Sequence, residues 1–112
     1  MPRLLPARVR RDRDARERRS CQAHRAWVRR HHCCVPGCTQ LPVECAHVRL
    51  GTDGGVGLKP SDRFTISLCR LHHAEQHRLG EAAFERQHGL DLIAIAAAFA
   101  RASPHWRRLG EE

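Results

Sequence analysis

The sequence predicts a small α+β domain with a basic N-terminal arm and a helical C-terminal tail. Three observations carry that prediction. Two short stretches in the middle of the chain read as strands. Helical spacing of apolar residues follows them. The net charge lies almost wholly at one end. The chain has 112 residues, of which 41% are hydrophobic and 4% aromatic, with no Tyr. That is a thin supply for a core, and chains this small and polar usually need a cross-link. Six Cys and nine His supply the material for one.

Residues 1–14 hold two Pro and many Arg, and predict no fixed structure. Residues 15–30 fit a helix with Cys21, Ala23, Trp27 and Val28 as apolar anchors, Trp27 being the best docking residue. A loop over 31–42 turns at Pro36-Gly37. Residues 43–50 read as a strand. Residues 51–57 hold four Gly in seven positions, which excludes helix. Lys59-Pro60-Ser61-Asp62 is turn chemistry. Residues 63–68 alternate Phe64, Ile66 and Leu68 with polar residues, a second strand. Residues 71–78 predict a helix ended by Gly80, and 81–87 a short helix stopped at His88-Gly89. Residues 90–102 form an Ala-rich helix with Leu92, Ile95, Ala96 and Phe99 at helical spacing, broken by Ser103-Pro104. The chain thus divides into an arm at 1–30, a body at 31–88 and a helical tail at 89–112.

The formal net charge is +8, and all of it sits in the arm. Residues 1–32 hold eleven Arg against Asp12, Asp14 and Glu17, while the remainder is neutral with nine basic and nine acidic residues. A segregated Arg block is the electrostatic footprint of a polyanion binder. Arg8, Arg10 and Arg11 are the arm's candidate phosphate contacts, because the planar guanidinium bonds phosphate bidentately. A membrane-surface role lacks an apolar stripe opposite the Arg face. No apolar run approaches the roughly 20 residues of a spanning helix, and no apolar stretch of a secretory leader follows the N-terminal Arg residues. The sequence therefore predicts a cytoplasmic chain, where thiols stay reduced and the Cys read as metal ligands before disulfides.

Cys33 and Cys38 flank the Pro36-Gly37 turn. Cys69 and His72 lie three apart at the junction of the second strand and the following helix. Together they make the set that tetrahedral zinc takes. Cys34 with Cys38 is the competing pair; four intervening residues accommodate the bend with less strain, which favours Cys33. Cys21 and Cys45 read as spare thiols. The alternative is that all six Cys are small buried hydrophobes. His73 and His77, four apart, share one helix face and can chelate one metal, with His72 turned away toward the zinc. His47 lies upstream in the first strand.

In order, the chain has the Cys-rich turn Cys33 to Cys38, Ala46-His47, the glycine loop, Lys59-Pro60-Ser61-Asp62 and Leu68-Cys69-Arg70-Leu71-His72-His73. This order resembles the HNH endonucleases of the ββα-metal fold, and within them the zinc-knuckle type that includes phage Ref-like nucleases. The resemblance covers residues 31–88. It implies metal-dependent hydrolysis of phosphodiester bonds in DNA, with His47 as general base. Asp62 falls where the family often has an Asn that orders the loop carrying the base. The resemblance also implies a catalytic ion on His73 and His77 and a structural zinc on Cys33, Cys38, Cys69 and His72. The catalytic ion would be Mg²⁺ or another divalent ion; ligand chemistry alone suits Mn²⁺, Ni²⁺ or Zn²⁺.

Ala46 departs from the family pattern, which often has Asp or His there as a further metal ligand. Glu44, Asp62 or water would fill the place. Arg49, Lys59, Arg63 and Arg70 are candidates for closer phosphate contact. The Arg arm would add affinity for DNA that is largely independent of sequence and sensitive to salt. A second protein would supply targeting. The competing expectation is a non-catalytic zinc-knuckle module that binds nucleic acid; it has no use for His47, His73 and His77 together. Nothing in the sequence specifies the oligomeric state.

Overall fold

A computed structural model describes residues 19–54 and 58–110. Among them lie four helices and a two-stranded antiparallel sheet, an α+β arrangement. Helix α1 spans Gln22–Val28, strand β1 Val43–His47, strand β2 Thr65–Cys69, helix α2 Arg70–Leu79, helix α3 Glu81–His88 and helix α4 Leu92–Ala102. A 3-10 turn, Trp106–Leu109, follows. No described helix is long and apolar enough to cross a membrane.

The strands pair with Val43 opposite Cys69 and His47 opposite Thr65. The ladder is shorter than the predicted 43–50 strand. Beyond His47, the Val48 N–H still reaches Phe64 O at 2.8 Å, but the Arg49 and Leu50 N–H groups both turn to the Glu81 carboxylate, each 2.7–2.8 Å from one of its oxygens. A side chain from another helix thus ends the strand, and local sequence cannot announce it. The second strand runs one residue further than predicted, because Cys69 is both its last ladder residue and the N-cap of α2, its Sγ accepting the His72 N–H at 3.4 Å. Gly89, left-handed at φ 65°, stops α3, and Asp91 caps α4 through the Ala94 N–H at 3.1 Å.

All five residues of β2 are buried, since α1, α2 and α4 all pack against this strand. Ala46, Val48, Ile66, Leu68, Phe84, Leu92 and Ala96 share one core. Residues beyond the predicted 31–88 body therefore belong to it. Leu92 and Ala96 come from the tail, and α1 is tied in by the bond between His24 Nδ1 and Ser103 Oγ at 2.8 Å. An amphipathic helix beside a half-covered sheet packs onto it, whatever boundary composition suggests.

Phe84 is the largest fully buried side chain. Phe84→Ala is expected to cost about 3–5 kcal/mol, much of the roughly 5–15 kcal/mol available to a domain. A urea titration followed by circular dichroism checks it; an unchanged midpoint would contradict this core.

Candidate functional site

Cys33, Cys38, Cys69 and His72 bring their ligand atoms within 4.8 Å of one another. Cys69 Sγ lies 3.2 Å and Cys33 Sγ 3.4 Å from His72 Nδ1, and Cys38 Sγ lies 3.9 Å from Cys69 Sγ. Tetrahedral zinc with ordinary Zn–S and Zn–N bonds needs edges of about 3.5–3.8 Å. The donor set and its spacing are compatible with a structural zinc ion. Burial pushes the Cys33 thiol up to about 11, so metal binding must displace protons.

The geometry also separates the two adjacent thiols. The Cys34 N–H bonds Ser67 O at 2.8 Å, and its side chain faces Trp27, Ser67 and Phe99 rather than the cluster. Cys45 lines a separate cleft, and Cys21 is buried at the start of α1. A further group, His72, Glu75 and His88, also falls within 4.8 Å but shares His72 with the first.

His47, His73 and His77 line one cleft of about 820 Å³, with Arg49, Lys59 and Gln76. His47 comes from the end of β1, and the other two from successive turns of α2. His73 Nδ1 is 2.9 Å from Glu44 Oε1. An ionised carboxylate only accepts, so Nδ1 carries the proton and Nε2 is the free lone pair. Glu44 is held below the usual carboxylate range, mainly by this hydrogen bond. His73 Nε2 and His77 Nε2 stand 3.3 Å apart, about the separation of two adjacent nitrogen ligands at ordinary bond length on one first-row ion. Ala46 is buried in the core. Among the described residues no third side chain joins that pair within ligand distance.

Asp62 is 3% exposed. It accepts from His47 Nε2 at 2.8 Å, from the Cys21 N–H at 2.6 Å and from the Arg25 guanidinium. Burial pushes its carboxyl up, but the bonds from His47 and Cys21 and the Arg25 charge outweigh burial and bring it to about 2. With Nε2 bound to a carboxylate, His47 keeps Nδ1 as a proton acceptor. Asp62 therefore holds the imidazole itself, a closer role than ordering a loop.

Lys59 and Arg49 line the cleft. Arg70 is exposed beside it, 3.6 Å from Glu44. Arg63 lies outside this cleft and lines a separate hollow. In the turn before β2, Asp62 reaches His47 while the Arg63 guanidinium sits 5.3 Å from the Phe64 ring centre. Arg8, Arg10 and Arg11 lie outside the described residues. Sequence reasoning missed Arg25 and the orienting role of Glu44. Glu44 had a faint signal as a carboxylate one strand-repeat before Ala46; Arg25 had none, being 37 residues from Asp62.

Over 70 residues, 62% of this chain, the sequence is 37% identical to "Uncharacterized protein YdfU" of Escherichia coli (strain K12). The match spans 19% of that relative's length. No solved structure matches the chain significantly. The family model described as "Protein of unknown function (DUF968)" matches residues 10–104. The Cys/His cluster, the histidine cleft and the helices that frame them thus all lie within the matched region, and the chain belongs to the DUF968 family.

Proposed function

We propose that this chain is a metal-dependent HNH endonuclease that hydrolyses phosphodiester bonds in DNA. One observation carries the reading: three histidines from β1 and α2 converge on one cleft, and two of them have their tautomer set by a carboxylate. The order β1, β2, α2 around that cleft supports a ββα-metal core, and the Cys/His cluster beneath α2 supports a zinc knuckle.

His47 removes a proton from the attacking water at Nδ1, and an imidazole suits this because its pKa lies near neutrality. Asp62 keeps the Nε2 proton in place and stabilises the imidazolium that forms. Glu44 turns His73 so that its Nε2 faces His77. These two nitrogens would hold Mg²⁺ or Mn²⁺, which when bound stabilises charge on the phosphate and on the leaving oxygen. Ala46 offers such an ion no ligand, and water would take that place. Lys59 and Arg49 place the phosphate, and the Arg arm adds affinity that salt weakens.

Plasmid cleavage with added Mg²⁺ and then Mn²⁺ tests the proposal. Wild type is expected to nick or cut, His47→Ala to lose about 10²–10⁴-fold, and a chelator to abolish the reaction. If wild type and His47→Ala are equally inert while both bind DNA with a steep salt dependence, the chain is instead a non-catalytic zinc-knuckle binding module.

A further inference from the structure

The chain has three Phe and two Trp, and a core so poor in aromatics gains most by burying them. Phe64 and Phe84 are buried, and Trp27 packs edge-on against Phe99 with ring centres 5.9 Å apart. Trp106 does the opposite and remains 48% exposed. It stands in a hollow of about 360 Å³ at the end of α4, beside Arg63 and Arg101. The Arg107 guanidinium lies 5.2 Å from its ring centre, and Arg108 is exposed next to it. Among the described residues no carboxylate lines this hollow, and none of these four Arg is in an ion pair.

The backbone that carries the indole is held in position. Ser103, 2% exposed, accepts the His105 backbone N–H on its hydroxyl at 3.1 Å and the Trp106 backbone N–H on its carbonyl at 3.2 Å. The same hydroxyl bonds His24 on α1 at 2.8 Å. The turn that carries Trp106 is thus fastened to the core by buried contacts, and the ring projects from an anchored main chain.

We propose that this hollow binds single-stranded nucleic acid, with an unpaired base stacked on Trp106 and the flanking phosphates on Arg63, Arg101 and Arg107. A half-exposed indole on an anchored turn offers the flat face that a base stacks on, and stacking tolerates every base. Unpaired cations on one side suit a phosphate chain. A duplex presents no free base face, so the site distinguishes strands from duplex. It shares no residue with the histidine cleft and stands whether or not that cleft cuts DNA.

The test uses the full chain without added divalent ions, so that cleavage does not intrude. Fluorescence anisotropy is read on labelled oligo(dT) of about 12 nucleotides, within the usual site size for one domain, and on a fully paired, loop-free duplex. Trp106→Ala is expected to weaken oligo(dT) binding about tenfold or more, to leave duplex binding within about twofold, and to keep its far-ultraviolet circular dichroism. Trp106→Phe retains most of the affinity, and Arg101→Gln with Arg107→Gln lowers the slope of affinity on salt. In a Trp27→Phe background, oligo(dT) quenches the Trp106 fluorescence. Unchanged oligo(dT) binding by Trp106→Ala, an equal loss for duplex, or no quenching would overturn the site. Failure of plasmid cleavage alone would not touch it.

Discussion

Cys69→Ser will leave the purified protein without stoichiometric zinc and largely unfolded, whereas Cys34→Ser and Cys45→Ser will keep both metal and fold. Cys69 is 1% exposed and has three tasks at once: it ends β2, caps α2 and faces the Cys33, Cys38 and His72 donors. A structural zinc site contributes on the order of 10–16 kcal/mol at neutral pH, as much as or more than the whole stability of a typical domain. A serine hydroxyl is a poor substitute for a thiolate toward zinc. Metal content by elemental analysis, with circular dichroism before and after chelation, checks the result. A Cys69→Ser protein that melts where wild type does, or a wild type indifferent to chelator, would remove the staple from this account.

Asp62→Ala will destabilise the fold by about 3–5 kcal/mol and silence the cleft as well. The substitution strands the Arg25 charge and the Cys21 N–H, both of which end on this buried carboxylate. Asp62→Asn keeps the shape and one acceptor but removes the charge. It will fold better than the alanine variant and, under the proposed reaction, cut DNA about 10²–10⁴-fold more slowly than wild type, through loss of the His47 tautomer. Plasmid cleavage and urea titration of the same two preparations separate the effects. Full cleavage by Asp62→Asn would show that His47 does not depend on this bond.

The pH dependence of stability has a definite sign. The Asp62 carboxyl drops from its ordinary 3.8 to about 2 on folding, so the unfolded chain binds the extra proton. Its contribution, about 2 kcal/mol, is complete above about pH 4 and is lost as pH falls toward about 2. Denaturant midpoints across that window should fall more steeply for wild type than for Asp62→Asn.

Much of the architecture was legible because it rests on local chemistry. Alternation marked the strand around Ile66, and glycines marked the helix ends at Gly80 and Gly89. The spacing of Cys33, Cys38, Cys69 and His72 marked the metal cluster, because ligand geometry constrains the sequence on both sides of a turn. His73 and His77 share a face by helical periodicity alone. Less legible were contacts between residues far apart in sequence. Nothing around Glu81 announces that its carboxylate ends β1, and nothing around Arg25 announces Asp62.

The arm illustrates the division. Its charge suggested a separate basic extension, yet α1 lies against both strands and closes the Asp62 site. Arg63 shows the same limit in miniature, since the path of the turn before β2 decides that Asp62 reaches His47 and Arg63 lies against Phe64. By itself, then, the sequence determined the α+β class, the order of elements, the Cys/His cluster and the pairing of His73 with His77, all set by periodicity and spacing along the chain. Only the tertiary structure decided that Cys33 rather than Cys34 faces the cluster, that Glu44 and Asp62 each orient an imidazole, and that Trp106 stays at the surface. Those outcomes depend on which remote groups meet when the helices close over β2, and burial in three dimensions is not written in any local pattern.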